Sequence, residues 1–174
     1  SNATVTLFGN DFDIDDIGGL TDIYLSFRVY DSDDWLADDA GSAGLHLYPY
    51  GEENAVRYER EPQSGDVVLA DTGDVTVIMT GTNDGGLLGG CGVELYLINS
   101  TDKALTFSAD DVSVNGYMVD PFWAKSIGAG QVGFSEMTWF SSTLEENGIT
   151  EVDEIELRLR AYDSNDWLAG DIFS

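Results

Sequence analysis

Residues 23–39, IYLSFRVYDSDDWLADD, recur without a gap as residues 155–171, IELRLRAYDSNDWLAGD, with 11 identities in 17 positions at a constant offset of 132 from Tyr30 to Tyr162. A repeat constrains the fold more than any single motif, because similar residues impose similar local structure twice. The match continues more weakly backwards through Ile17/Ile149 and Phe8/Phe140, so residues 6–42 read as a second copy of residues 138–174. The chain of 174 residues then holds the C-terminal part of a preceding repeat over 1–50, a linker over 51–65 and one module over 66–174. Copy one runs on into GLHLYPY, whereas copy two reaches Ser174, the counterpart of Ser42. The module therefore reads as lacking its last strand. Because an unpaired edge is a liability, strand 44–48 is expected to pack on the 66–174 module, within the chain or between chains as a strand-swapped homodimer.

The repeated segment has the pattern of a strand. Ile155, Leu157, Leu159 and Ala161 alternate with Glu156, Arg158 and Arg160, as in a half-buried antiparallel strand, and Ile23, Leu25, Phe27 and Val29 repeat the apolar set. Segments 4–8, 66–70, 74–80, 93–99, 104–108, 111–119 and 131–140 are further strand predictions, rich in Val, Thr, Phe or Tyr. Asn115-Gly116 between alternating apolar residues predicts a two-residue turn, because both positions need positive φ. The stretch NDGGLLGGCG, 83–92, reads as a loop and not a phosphate cradle, since no helix pattern and no Lys-Ser/Thr follow it. Ser142 and Glu145 fit a capping box and Asn147-Gly148 a stop, predicting one helical turn over 143–147. Many short strands with almost no helix predict an all-β fold, an immunoglobulin-like antiparallel β-sandwich with a partial second copy at its N-terminus.

The segments KALTFSADDVSVNGYMVDPFWA and FSSTLEENGITEVDEIELRLRAYDSNDW resemble a group of immunoglobulin-like modules in secreted or lipoprotein-type proteins of gut Clostridia-like bacteria. The resemblance covers residues 66–174, and 1–50 match the C-terminal half of the same module; DVSVNGYMVDP and FSSTLEENGI are its most specific parts. It implies a sandwich fold and an extracellular or cell-surface location, and brings no activity or site residue with it.

Charge narrows the partners. With 33 acidic and 7 basic residues the formal charge is −26, and no Lys/Arg cluster is present to meet phosphate or anionic lipid. Nucleic acid is set aside as a partner, and so is direct membrane insertion, since no apolar run approaches the roughly 18 residues that spanning needs. The acidity itself reads as a solvated surface. The single cysteine, Cys91, excludes an internal disulfide. Ser1-Asn2-Ala3 reads as the scar of a cleaved tag, so the expected signal peptide or lipid anchor lies outside this chain.

No catalytic set emerges. His46 falls on the polar side of its strand if Leu45 and Leu47 point inward, and Cys91, flanked by glycines, reads as a small packed residue. Asp11, Asp13 and Asp15 alternate as calcium-loop ligands would, but Asp16 stands where such a loop wants Gly, and the repeat reads T-L-E-E-N-G without the ladder. No cofactor is therefore expected, with calcium at these three residues as the weak candidate. Trp35 and Trp167, in the duplicated YDSxDWLA, read first as sandwich-closing residues beside Asp/Ser turns and second as a ligand platform; Pro121, Phe122 and Trp123 are the best candidate for an exposed aromatic surface. The expectation is a non-catalytic extracellular structural or binding module whose partner is an unidentified protein or carbohydrate. Its rivals are an accessory or catalytic domain of a carbohydrate- or peptidoglycan-acting enzyme, and a calcium-dependent adhesion module.

Overall fold

Antiparallel pairing accounts for almost all the regular structure in the computed structural model, which describes residues 19–34, 41–56, 59–86, 89–166, 168 and 170–174. The chain divides into two compact units, Ser1–Glu61 and Pro62–Ser174, with the boundary inside the segment read as a linker.

In the first unit, β1 (Ile23–Val29) and β2 (Gly41–Leu47) form a two-stranded hairpin, paired from Ile23 opposite Leu47 to Val29 opposite Gly41. The strand predicted at 44–48 runs over Gly41–Leu47, and within its own unit it pairs with β1. The physical reason is proximity in sequence: closing a short loop costs little entropy and brings two apolar alternations together. Asp31 Oδ1 accepts a hydrogen bond from the backbone N–H of Asp33 at 2.9 Å, an Asx turn that opens the connection. A 3-10 turn at Glu52–Asn54 follows, and the Thr21 hydroxyl accepts from the Val56 N–H at 3.0 Å. The strand predicted at 4–8 lies outside the described residues.

The second unit is a sandwich of two antiparallel sheets. One sheet has the order β3 (Val67–Asp71), β4 (Val75–Asn83), β5 (Gly90–Asn99), β9 (Val132–Phe140). The other has the order β11 (Asp171–Phe173), β10 (Ile155–Asp163), β6 (Leu105–Val114), β7 (Tyr117–Met118), with β8 (Lys125–Ile127) also pairing β6. Alternate residues point between the sheets: Val75 and Val77 from β4, Val93, Leu95 and Leu97 from β5, Met137 and Trp139 from β9, Leu105, Phe107, Leu159 and Ala161 from the facing sheet. Each such large side chain contributes on the order of 1.5–3 kcal/mol by leaving water. The Trp139 indole N–H donates to the Val119 carbonyl at 2.9 Å, so the largest core residue carries no unpaired polar atom.

Three expectations change. Segments 104–108 and 111–119 are one strand and a turn: β6 runs unbroken to Val114, with a bulge at Asp111, φ 51°, where its pairing with β10 shifts between Glu156 and Arg158. Before the bulge Leu105 and Phe107 face the core; after it Val112 and Val114 do, so the phase flips and the strand imitates two. The stretch 83–92 is only partly loop, because β4 and β5 pair as far as Asn83 opposite Gly92. Gly90 has φ 123° and lies against the Trp139 carbonyl, leaving no room for a Cβ. The helix, α1, spans Ser141–Glu146, and no side chain caps its start, so the expected Ser142/Glu145 box does not form; β9 feeds directly into Ser141 and leaves no extended residue at 142 to act as a cap. Its end is as expected. Ile149 N–H donates to Leu144 and Gly148 N–H, at φ 73°, to Glu145, a Schellman closure whose apolar pair, Leu144 and Ile149, joins the core.

Candidate interaction surface

Between the two sheets, on the side where β10 faces β3 and β4, the sandwich is open. A cleft of about 940 Å³ lies there, its apolar walls formed by Ile155, Leu157 and Leu159 of β10 against Leu69, Met79 and Val93. The inner face of β10 is thus walled on one side only. Leu69 and Val67 of β3 are exposed, and Met79, which stands opposite Val67, is only half-buried. Sequence alternation marks Ile155, Leu157 and Leu159 as inward, but periodicity does not tell a filled interior from an open one. Cys91 also lines this cleft; it is half-buried, and burial pushes its thiol above the ordinary range, which keeps the thiolate scarce.

The outer face of the same sheet is polar. Arg160 donates to Asp171 at 2.7 and 3.1 Å and to Asp110 at 3.0 Å, and its guanidinium lies 5.0 Å from the centre of the Tyr162 ring. The hydrogen bonds to Asp171 are the main reason its proton is held more tightly than usual. Arg158 pairs with Asp111 at 3.0 Å. These two arginines offset the carboxylates that the Asp111 bulge gathers beside β10.

The predicted site residues are dispersed. Phe122 is 76% exposed, with its ring 5.8 Å from that of Phe140, and its backbone exchanges hydrogen bonds with Thr138. Trp123 is half-buried, packs on the core and donates to the Ser135 hydroxyl at 2.9 Å. Of the Pro121-Phe122-Trp123 group, Phe122 is therefore the exposed aromatic, and Tyr117 and Met118 on β7 are exposed as well. Trp35, Trp167, Asp11, Asp13 and Asp15 lie outside the described residues. The Asx turn at Asp31 recurs at Asp163, whose Oδ1 accepts from the Asn165 N–H at 2.9 Å, so the acidic residues of both YDS segments serve as turn formers. His46 is exposed; its Nδ1 lies 2.8 Å from the Asp22 carboxylate, and its ring stacks near Tyr24 and Tyr48. Among the described residues no group of three His, Cys, Asp or Glu side chains is arranged to hold a metal, and no helix is long and apolar enough to cross a membrane.

Fold and surface together define an all-β antiparallel sandwich with one open flank. No protein-family model matches this chain, and neither a search of curated proteins nor one of solved structures returns a similar protein.

Proposed function

We propose that the chain is a non-catalytic, immunoglobulin-like module of a repeat-built extracellular or cell-surface protein, acting there as a spacer or as a binding element for a protein or carbohydrate. The observation that carries this reading is the character of the cleft. Its walls are strand side chains such as Ile155, Leu157, Leu69 and Met79, which suit uptake of an extended apolar segment, a recurrent mode of recognition in β-proteins. The charge of −26 supports the same reading, because it keeps a solvent-facing module soluble and free of non-specific contacts. The duplicated segment supports a repeat-built parent protein.

The test is protease shaving of intact cells that express the parent protein natively, followed with an antibody to this module. Loss of the epitope before lysis is the expected result, and survival until lysis overturns the surface location. Release of sugar or peptide fragments from cell-wall or polysaccharide substrates by the purified chain overturns the non-catalytic assignment.

A further inference from the structure

We infer that Asn147-Gly148, at the end of α1, is a site of spontaneous deamidation in the folded chain, and that the fold holds the same dipeptide at Asn115-Gly116 against it. These are the two Asn-Gly pairs of the sequence. The inference goes beyond the surface role proposed above and does not depend on it.

The reaction takes nothing but water. The backbone nitrogen of the glycine gives its proton to solvent base and attacks Cγ of the asparagine; the Cγ–Nδ2 bond breaks, ammonia leaves with a proton from water, and a cyclic succinimide remains. Water then opens one of its two carbonyls, giving either aspartate or an isoaspartyl linkage in which the main chain runs through Cβ and Cγ. Either product adds a negative charge. A following glycine speeds ring closure, because it carries no Cβ to crowd the attacking nitrogen.

The two sites differ in what ring closure must give up. At Asn115 the side-chain carbonyl accepts from the N–H groups of Asp153 and Glu154 at 2.9 and 3.0 Å, the amide donates to the Glu151 carbonyl at 2.7 Å, and the residue's own N–H donates to the Glu154 carbonyl at 2.9 Å. The residue is half-buried. All four bonds run to the chain that enters β10, so Cγ is freed only when the turn comes away from that segment. A contact made to a distant strand in this way opens together with a large part of the fold.

At Asn147 the bonds are local. Its amide donates to the Thr143 carbonyl at 2.9 Å and the Gly148 N–H to the Glu145 carbonyl at 2.9 Å, both within α1 and its closing turn. The helix is six residues long, its start has no side-chain cap, and Glu145 and Glu146 lie at the end where unpaired carbonyls already concentrate negative charge. Such a helix frays at its end readily. Leu144 and Ile149 are buried, whereas Asn147 and Gly148 between them are exposed, so these two residues turn without uncovering the core.

The experiment incubates the whole chain at mildly alkaline pH, once in buffer and once in concentrated urea. Trypsin then separates the sites, since cleavage after Lys103, Lys125 and Arg158 yields peptides 104–125 and 126–158, each holding a single asparagine. Mass spectrometry follows the amide-to-acid mass gain in each, and electron-transfer fragmentation tells isoaspartate from aspartate. In urea the two asparagines are expected to convert at similar rates. In buffer Asn147 is expected to convert faster than Asn115 by on the order of tenfold, the effect of the additional hydrogen bonds that Asn115 must break. Equal rates in the folded chain, or faster conversion at Asn115, overturn the proposal. So does a folded chain that keeps both residues intact while the unfolded chain loses them. A gap of the same size already present in urea assigns the difference to neighbouring residues and not to the fold, and overturns it as well.

Discussion

The side-chain carbonyl of Asn99 accepts two hydrogen bonds from Thr101, one from the backbone N–H at 3.0 Å and one from the hydroxyl at 2.7 Å. The amide end donates to the carbonyls of Lys103, Ile127 and Gly128, and no part of Asn99 reaches solvent. One side chain thus ties the end of β5 to the start of β6 and to β8. Asn99→Leu preserves volume but leaves several buried groups unpaired, at a cost of about 3 kcal/mol. Urea unfolding is expected to show a lower midpoint at unchanged m-value. A loss under about 1 kcal/mol would mean that water takes over these bonds.

Asn115 has a similar role at the surface. It sits at φ 50° in the two-residue turn between β6 and β7, with Gly116 at φ 82°. Its Oδ1 accepts from the N–H groups of Asp153 and Glu154, and its amide donates to the Glu151 carbonyl, so the turn also clamps the chain entering β10. Asn115→Ala combines left-handed strain with lost hydrogen bonds and is expected to destabilise by about 2 kcal/mol. Asn115→Asp keeps the acceptor and tolerates the conformation, so it should cost less than half as much. Equal losses for the two variants would remove the acceptor from the explanation.

How far these features could be read in advance depends on the range of the interactions that make them. The alternation in Ile155–Ala161, the Asn115-Gly116 turn and the Gly148 helix stop are local, and they stand as read. The single strand β6 is not legible, because the Asp111 bulge inverts the inside–outside phase on which alternation depends. β8 is too short to show a period. The pairing of Asn83 with Gly92 belongs to a hairpin whose glycines resemble a loop. Asn99 looks like an ordinary polar residue at a strand end, since its side-chain partners come both from the adjoining loop, Thr101 and Lys103, and from the distant Ile127 and Gly128. The cleft is a mixed case. Alternation marks Ile155, Leu157 and Leu159 as inward, whereas Leu69, Met79 and Val93 come to face them only through the assembly of the two sheets.

Asp163 accepts hydrogen bonds from the backbone of Asn165 and an ion pair from Lys103 at 3.1 Å, and these hold its carboxyl below the ordinary value of 3.8. A carboxylate whose pKa is lowered by folding stabilises the native state above its unfolded pKa, and that contribution disappears as pH falls through the lower, folded value. Stability is therefore expected to decline on acidification below about pH 4. Asp163→Asn removes this contribution: the variant should be less stable than the unmodified chain at neutral pH, and the gap should narrow at low pH. A gap independent of pH would mean that the turn geometry, and not the charge, is what the residue supplies.

The Asp11, Asp13 and Asp15 ladder raises the question of calcium, and the repeat offers an argument about it. At the corresponding place in the second copy, where the alternating aspartates are missing, the segment from Ser141 to Ile149 closes on itself through the Leu144–Ile149 and Glu145–Gly148 hydrogen bonds. A turn that one copy builds from backbone bonds alone gives the fold no general need for a cation there. We therefore expect the melting temperature to be the same, within about 1 °C, in millimolar calcium and in excess chelator, since only a ligand that binds the folded state raises it. A rise of several degrees with calcium that is lost in Asp13→Asn would assign the ladder as a ligand set peculiar to the first copy. It would also make adhesion through calcium the better reading of the parent protein.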